Sequence, residues 1–208
     1  MYLFIKRVVD FILSLAGLVI LSPVFLILFI AIKLDTPGPI FFKQKRVGIN
    51  KSHFYILKFR TMRIDTPKDT PTHLLTNPDQ YITKVGKFLR KTSLDELPQI
   101  INILKGEMSI IGPRPALWNQ FDLIAERDKY GANDVPAGLT GLAQISGRDE
   151  LEIEVKAKID GEYAKNIGPI MELKCFFGTI VSVLKSDGVL EGGTGTIIEE
   201  TKKEPTIK

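Results

Sequence analysis

Asp95 and Glu96 stand side by side in Ser93-Leu94-Asp95-Glu96-Leu97-Pro98-Gln99, just after the basic run Lys87-Phe88-Leu89-Arg90-Lys91. The pair reads as the start of a helix, where unpaired backbone N–H groups and the macrodipole favour anions. An aspartate kept ionised there could act as a nucleophile while its neighbour binds a metal. The same residues have a plainer reading, because Ser93 followed three positions later by Glu96 is the pattern of a capping box. Both readings stay open on this stretch alone. Gly112-Pro113-Arg114-Pro115 is a second place for chemistry. Prolines on either side stiffen the backbone around one arginine, and a guanidinium grips phosphate as a fork. A rigid turn with an ordinary surface arginine would look the same. Gly138 to Arg148 is punctuated by glycines and ends on another arginine. Glycines let backbone N–H groups approach a ligand, and they equally serve a hairpin. The segment is neither a Walker loop nor a dinucleotide fingerprint. Lys58 and Arg60 flank Phe59, and in an extended segment they share one face.

Other chemistries are excluded by composition. His53 and His73 are too few and too isolated for a zinc site. The single cysteine, Cys175, rules out an internal disulfide framework and lies in an apolar stretch, where it reads as packing. The net charge of +4 suits an anionic partner without choosing a lipid surface, a nucleotide or a nucleic acid.

The elements that must position these residues begin with an anchor. No charge occurs from Phe11 to Ile32, long enough to cross a hydrocarbon core of about 30 Å as one helix. It is too long for a signal peptide and lacks a small-residue cleavage site. Ser22-Pro23 interrupts it, and proline breaks or kinks a helix by removing a donor. The Ser22 hydroxyl can satisfy a freed carbonyl. Lys6 and Arg7 precede the segment, and Lys33, Lys43, Lys45 and Arg46 follow it. Positive charge marks cytoplasmic ends, and here it marks both. Length favours a spanning helix, the symmetric flanks favour one that enters and leaves the same leaflet, and Asp10 can pair with Lys6 or Arg7.

Beyond the turn at Asp35-Thr36-Pro37-Gly38-Pro39, strands are expected at Ile40 to Phe42 and Phe54 to Leu57, joined by a hairpin turn at Gly48 to Lys51. Residues 64–80 read as a polar loop. Helices are expected over about Tyr81–Lys91, Leu94–Leu104, Trp118–Lys129, Glu150–Asn166 and Ile170–Lys185. The first is basic and amphipathic, suited to an anionic membrane surface or to solvent. The fold class is α+β and mainly helical, with an anchor over 1–35, one globular domain over 36–187 and a flexible tail over 188–208.

In their order along the chain, Lys6-Arg7, Ser22-Pro23, Lys58-Phe59-Arg60-Thr61-Met62, Ser93 to Gln99, Gly112 to Pro115, and Gly141-Leu142-Ala143-Gln144 with Gly147-Arg148 resemble the monotopic phosphoglycosyl transferases, the bacterial sugar transferase family. The likeness runs from about Lys6 to Gly188 and is closest to small single-domain members that initiate capsule or other surface polysaccharides. It implies transfer of a sugar-1-phosphate from a UDP-sugar to polyprenyl phosphate, with release of UMP. It implies Asp95 as the nucleophile, a covalent phosphosugar–aspartyl intermediate, and Glu96 as a catalytic residue that holds Mg²⁺. Lys58, Arg60, Arg90, Arg114 and Arg148 are implied as substrate-binding cations, and Lys6, Arg7, Ser22 and Pro23 as the residues of a re-entrant membrane anchor. The expected place is the bacterial inner membrane with the catalytic domain on the cytoplasmic face, in contact with phospholipid. An N-acetylated or deoxygenated donor sugar and a homodimer fit the resemblance. Where many relatives carry Arg-Pro-Gly, this chain has Pro136-Ala137-Gly138. An inactive membrane-anchored scaffold for glycan assembly is the alternative. A basic protein that binds lipid or nucleic acid without chemistry is a third reading, and no nucleic-acid-binding module is visible.

Overall fold

The computed structural model describes residues 1–66, 78–147 and 151–185. Two apolar helices open the chain, α1 (Tyr2–Ile20) and α2 (Ser22–Asp35), bent by 61° at the break between them. The break follows from sequence chemistry. Pro23 lies in the first turn of α2, where a missing N–H costs nothing. The Ser22 hydroxyl donates to the Val19 carbonyl at 2.7 Å, satisfying a group freed at the end of α1. Neither helix alone is long and apolar enough to cross a membrane, though the bent pair together passes that test.

The polarity of α1 is inverted. Its buried residues are Lys6, Asp10 and Ser14, spaced four apart on one face, whereas Phe4, Ile12, Val19 and Ile20 are exposed. The buried stripe is held by the body of the protein. Lys6 donates to Glu172 at 2.7 Å, and Asp10 accepts from the Ser109 hydroxyl at 2.6 Å and from the Ile110 N–H. Lys6 and Asp10 also pair at 3.8 Å. Helix α2 turns Phe25, Leu28 and Ile32 onto Phe59 and Leu89, forming one apolar cluster with the globular part.

Strands β1 (Phe41–Val47) and β2 (His53–Phe59) pair antiparallel from Phe41 opposite Phe59 to Val47 opposite His53. They are longer than the expected strands because β1 continues through the charged residues Lys43, Lys45 and Arg46. The connection keeps to the expected place, with Asn50 and Lys51 at positive φ. Helix α3 (Lys84–Lys91) starts three residues later than expected because Thr83 caps it, accepting from the Gly86 N–H at 2.9 Å.

The expected helix from Leu94 to Leu104 is two pieces. A single 3₁₀ turn, Leu94–Glu96, comes first, and α4 (Gln99–Lys105) begins after Pro98. The expected capping box does not form. Ser93 sits in the left-handed region with φ of 56° and its side chain makes no cap bond. Helix α4 is fixed to β2 by Asn102, which accepts from the Leu57 N–H at 2.9 Å and donates to the Tyr55 carbonyl at 2.8 Å. At its other end Arg7 of α1 donates to the Ile103 and Leu104 carbonyls.

Strand β3 (Ser109–Ile111) follows, then α5 (Phe121–Asp128), β4 (Gly138–Thr140), α6 (Leu142–Ile145), α7 (Ile153–Lys165) and α8 (Pro169–Lys185). The glycine-punctuated segment is not a hairpin, since β4 runs parallel to β3. A side chain at Gly112 would meet the Pro136 carbonyl oxygen at 2.3 Å, so glycine is what lets these backbones meet. Cys175 is buried with Ile111, Leu142 and Tyr163, as expected of a packing residue, and burial pushes its thiol up to about 11. The expected tail at 188–208, His73 and the centre of the polar loop lie outside the described residues.

Candidate active site

The turn before α4 sorts its residues by side. Leu94 and Leu97 pack on the Phe25, Phe59 and Leu89 cluster. Asp95 and Glu96 between them face three cations. In a 3₁₀ turn residues three apart eclipse, so the two leucines share the inner side and the carboxylates are left on the outer one.

Glu96 is fully engaged. Its Oε1 accepts from Lys58 Nζ and from Arg114 Nη2, both at 2.7 Å, with Arg114 Nη1 at 3.4 Å from Oε2. Burial works against its charge, but Arg114 and Lys58 outweigh it and hold the carboxyl well below the usual range. Asp95 is different. Its side chain is 14% exposed, and Lys58 Nζ lies 4.0 Å from its Oδ2. Burial pushes its carboxyl above the ordinary value, the Glu96 charge adds to this, and Lys58, Arg90 and Arg114 oppose it. Two adjacent carboxylates therefore have opposite conditions. Glu96 is held below its ordinary value by two bonded cations, and Asp95 is raised above its own by burial. The cations supply the counter-charge that was expected from a helix start.

Each cation arrives from its own element. Lys58 is near the end of β2. Arg90 is in the last turn of α3 and its Nε donates to the Thr61 hydroxyl at 3.0 Å. Arg114 sits on the proline turn after β3. Of the residues read from sequence as site members, the structure thus gathers Asp95, Glu96, Lys58, Arg90 and Arg114. Arg148 lies outside the described residues. Arg60 is not brought to the carboxylate pair. It is 5% exposed, and its guanidinium donates to the carbonyls of Thr36 and Pro37 at 2.7 and 2.8 Å, not to the carboxylate pair. It ties the end of α2 to the end of β2. Lys6, paired with Asp10 as expected, and Arg7 precede the apolar segment and also bond to the body of the protein.

Sequence reasoning passed over Arg127 and Asp160, a buried pair behind the proline turn at 2.6 Å. Their signal was a charge on the apolar side of a helix, since Leu123 and Arg127 lie four apart in α5 and both are buried.

Among the described residues no group of three or more His, Cys, Asp or Glu side chains could hold a metal. Magnesium differs from zinc in this respect, since one or two carboxylates with substrate phosphates and water suffice. Asp95 and Glu96 fit an ion that arrives with a diphosphate, at the cost of loosening Glu96 from Lys58 or Arg114.

A part-buried aspartate, a glutamate clamped by two cations and an arginine on a rigid turn sit together, seated against a bent apolar helix pair. The chain belongs to the bacterial sugar transferase family, whose profile matches residues 1–186; it is a transferase. It is 36% identical over 197 residues to "Exopolysaccharide production protein ExoY" of Sinorhizobium fredii, covering 88% of this chain and 87% of that protein. It is 37% identical over 186 residues to "Uncharacterized sugar transferase EpsL" of Bacillus subtilis, covering 89% and 90%. It is 38% identical over 189 residues to "UDP-glucose:undecaprenyl-phosphate glucose-1-phosphate transferase" of Escherichia coli, covering 85% of this chain but 39% of that longer protein.

Proposed function

We propose that this chain moves a sugar-1-phosphate from a UDP-sugar to a polyprenyl phosphate and releases UMP, through a covalent phosphosugar–aspartyl intermediate on Asp95. The observation that carries this reading is the unequal carboxylate pair. Glu96 is clamped at 2.7 Å by both Lys58 and Arg114, while Asp95 beside it is part-buried, with Lys58 at 4.0 Å. A carboxylate held above its ordinary value is the more basic and the better able to attack.

An Asp95 oxygen attacks the phosphorus that bears the sugar. The bond from that phosphorus to the UMP oxygen breaks, and UMP leaves with the electron pair. A phosphate oxygen of polyprenyl phosphate then attacks the same phosphorus, and the aspartyl–phosphorus bond breaks to restore Asp95. Both steps bring anions together, so the repulsion must be offset by fixed positive charge. Lys58, Arg90 and Arg114 are placed for that. A magnesium ion held by Glu96, with Asp95 nearby, would add charge neutralisation on the diphosphate.

One substrate is soluble and the other sits in lipid, so the site must lie at a membrane surface. The inverted polarity of α1 supports this, because a helix that buries its charges and exposes its apolar side is stable only against an apolar medium. Helix α8 exposes Ile170, Phe176, Phe177 and Val181. A helix pair bent by 61° at Ser22-Pro23, with Lys33, Lys43 and Lys45 following it, fits re-entry from the cytoplasmic face. The relatives named for exopolysaccharide production support a step in surface-glycan assembly. Relatives named for glucose and galactose extend the donor panel beyond N-acetylated sugars. The test is UMP release by the protein in nanodiscs with polyprenyl phosphate, Mg²⁺ and that panel. Release with one donor supports the reaction. Silence with every donor from folded protein favours the scaffold reading.

A further inference from the structure

The proline turn at 113–115 is held from outside by all three of its carbonyls. The Gly138 N–H donates to the Pro113 carbonyl at 2.9 Å. Arg127 Nη2 donates to the Arg114 carbonyl at 3.0 Å, and Arg46 Nη1 to the Pro115 carbonyl at 3.0 Å. The donors come from β4, α5 and β1, so three separate elements converge on one tripeptide.

Arg127 is held in turn by Asp160 of α7, whose Oδ2 accepts from Nε at 2.9 Å and from Nη2 at 2.6 Å. The two residues are 4% and 1% exposed. A buried ion pair is a weak source of stability, because stripping two charges of water offsets most of their attraction. Here one carboxylate oxygen, Asp160 Oδ1, is buried without a hydrogen-bond partner among the described residues. Apolar side chains of similar volume would hold α5 against α7 as well. The pair supplies something they would not, a guanidinium fixed in one rotamer with a donor on the Arg114 carbonyl. That carbonyl belongs to the residue whose side chain clamps Glu96 at 2.7 Å.

We propose that Arg127, locked by Asp160, and Arg46 are positioning residues that hold the Arg114 backbone so that its guanidinium reaches the carboxylate pair and the substrate phosphates. The inference rests on the reaction proposed above. Neither residue touches the reacting atoms; both act through Arg114. Misplacing a phosphate-binding group by an ångström costs on the order of a hundredfold in rate.

The test is a double-mutant cycle on the full chain in nanodiscs, read as the rate of UMP release with the donor that supports turnover. Arg127→Lys keeps a positive charge beside Asp160 and removes the planar fork that serves two acceptors. It is expected to slow release by about ten- to a hundredfold in the unaltered protein and by less than about twofold once Arg114→Ala is present. Equal losses in both backgrounds would mean a general structural effect and overturn the proposal. If Arg127→Lys does not fold, judged by its thermal midpoint, Arg46→Gln goes through the same cycle under the same criterion. Unaltered protein that releases no UMP with any donor refutes the reaction and this role with it. Active protein with additive losses refutes the positioning role alone.

Discussion

Asp95 and Glu96 occupy neighbouring positions but carry opposite electrostatic consequences for the fold. An acid whose carboxyl is raised by folding adds stability only below its ordinary value and loses it as pH climbs through the raised one. At neutral pH the charged Asp95 therefore costs stability. Glu96 is depressed, so it stabilises above its ordinary value and loses that contribution only as pH falls. Asp95→Asn should then raise the thermal midpoint at pH 7 while abolishing turnover, and Glu96→Gln should lower it; a fall in both would contradict the assignment. Activity needs Asp95 ionised, so the acid limb of the rate profile should lie above that of a free aspartate. Lys58→Met, which removes the cation that most opposes this rise, should move that limb to still higher pH. A pH–rate profile of UMP release measures both. At this scale the sequence showed which charged residues the structure gathers, Asp95 and Glu96 with Lys58, Arg90 and Arg114. It did not show that Arg60 bonds to the Thr36 and Pro37 carbonyls, because a cation in such a motif can bond to backbone carbonyls as readily as to phosphate.

The elements explain how two carboxylates come to face the cations. Pro98 prevents one continuous helix from Leu94, so the acidic pair sits in a separate 3₁₀ turn with its own orientation. Ser93 enters that turn at φ of 56°. A left-handed conformation costs a side-chain-bearing residue roughly 1–2 kcal/mol, a cost glycine escapes. Ser93→Gly should raise the thermal midpoint by about 2–4 °C in a chain of this size; a lower midpoint would mean the Ser93 side chain earns its place through a contact. Helix locations were largely legible from periodicity, but Pro98 as a break within Leu94–Leu104 was passed over. The parallel pairing of β3 with β4 was not legible. Three-residue strands carry no alternation to read, and the glycines that permit their approach serve hairpins equally well.

Across the whole molecule the dominant feature is a helix turned inside out. Lys6, Asp10 and Ser14 bind the protein, and the apolar side of α1 faces outward alongside that of α8. The apolar segment and its break at Ser22-Pro23 were plain in the sequence, but the inward bonds of Lys6 and Arg7 were not, because hydropathy reports which residues are polar and not which side they face. The account places the exposed side of α8 among acyl chains. Phe177→Trp in a Trp118→Phe background, with the chain's one native tryptophan removed, should be quenched by bromine-labelled lipid tails; unquenched fluorescence would put this face in water. The central claim is the covalent step, and intact-protein mass spectrometry tests it most directly. Protein in nanodiscs is mixed with Mg²⁺ and each UDP-sugar, without polyprenyl phosphate. The account predicts an added sugar-phosphate mass with one donor, equimolar UMP, and loss of both in Asp95→Asn. Turnover to polyprenyl-linked product by Asp95→Asn at the unaltered rate would contradict it.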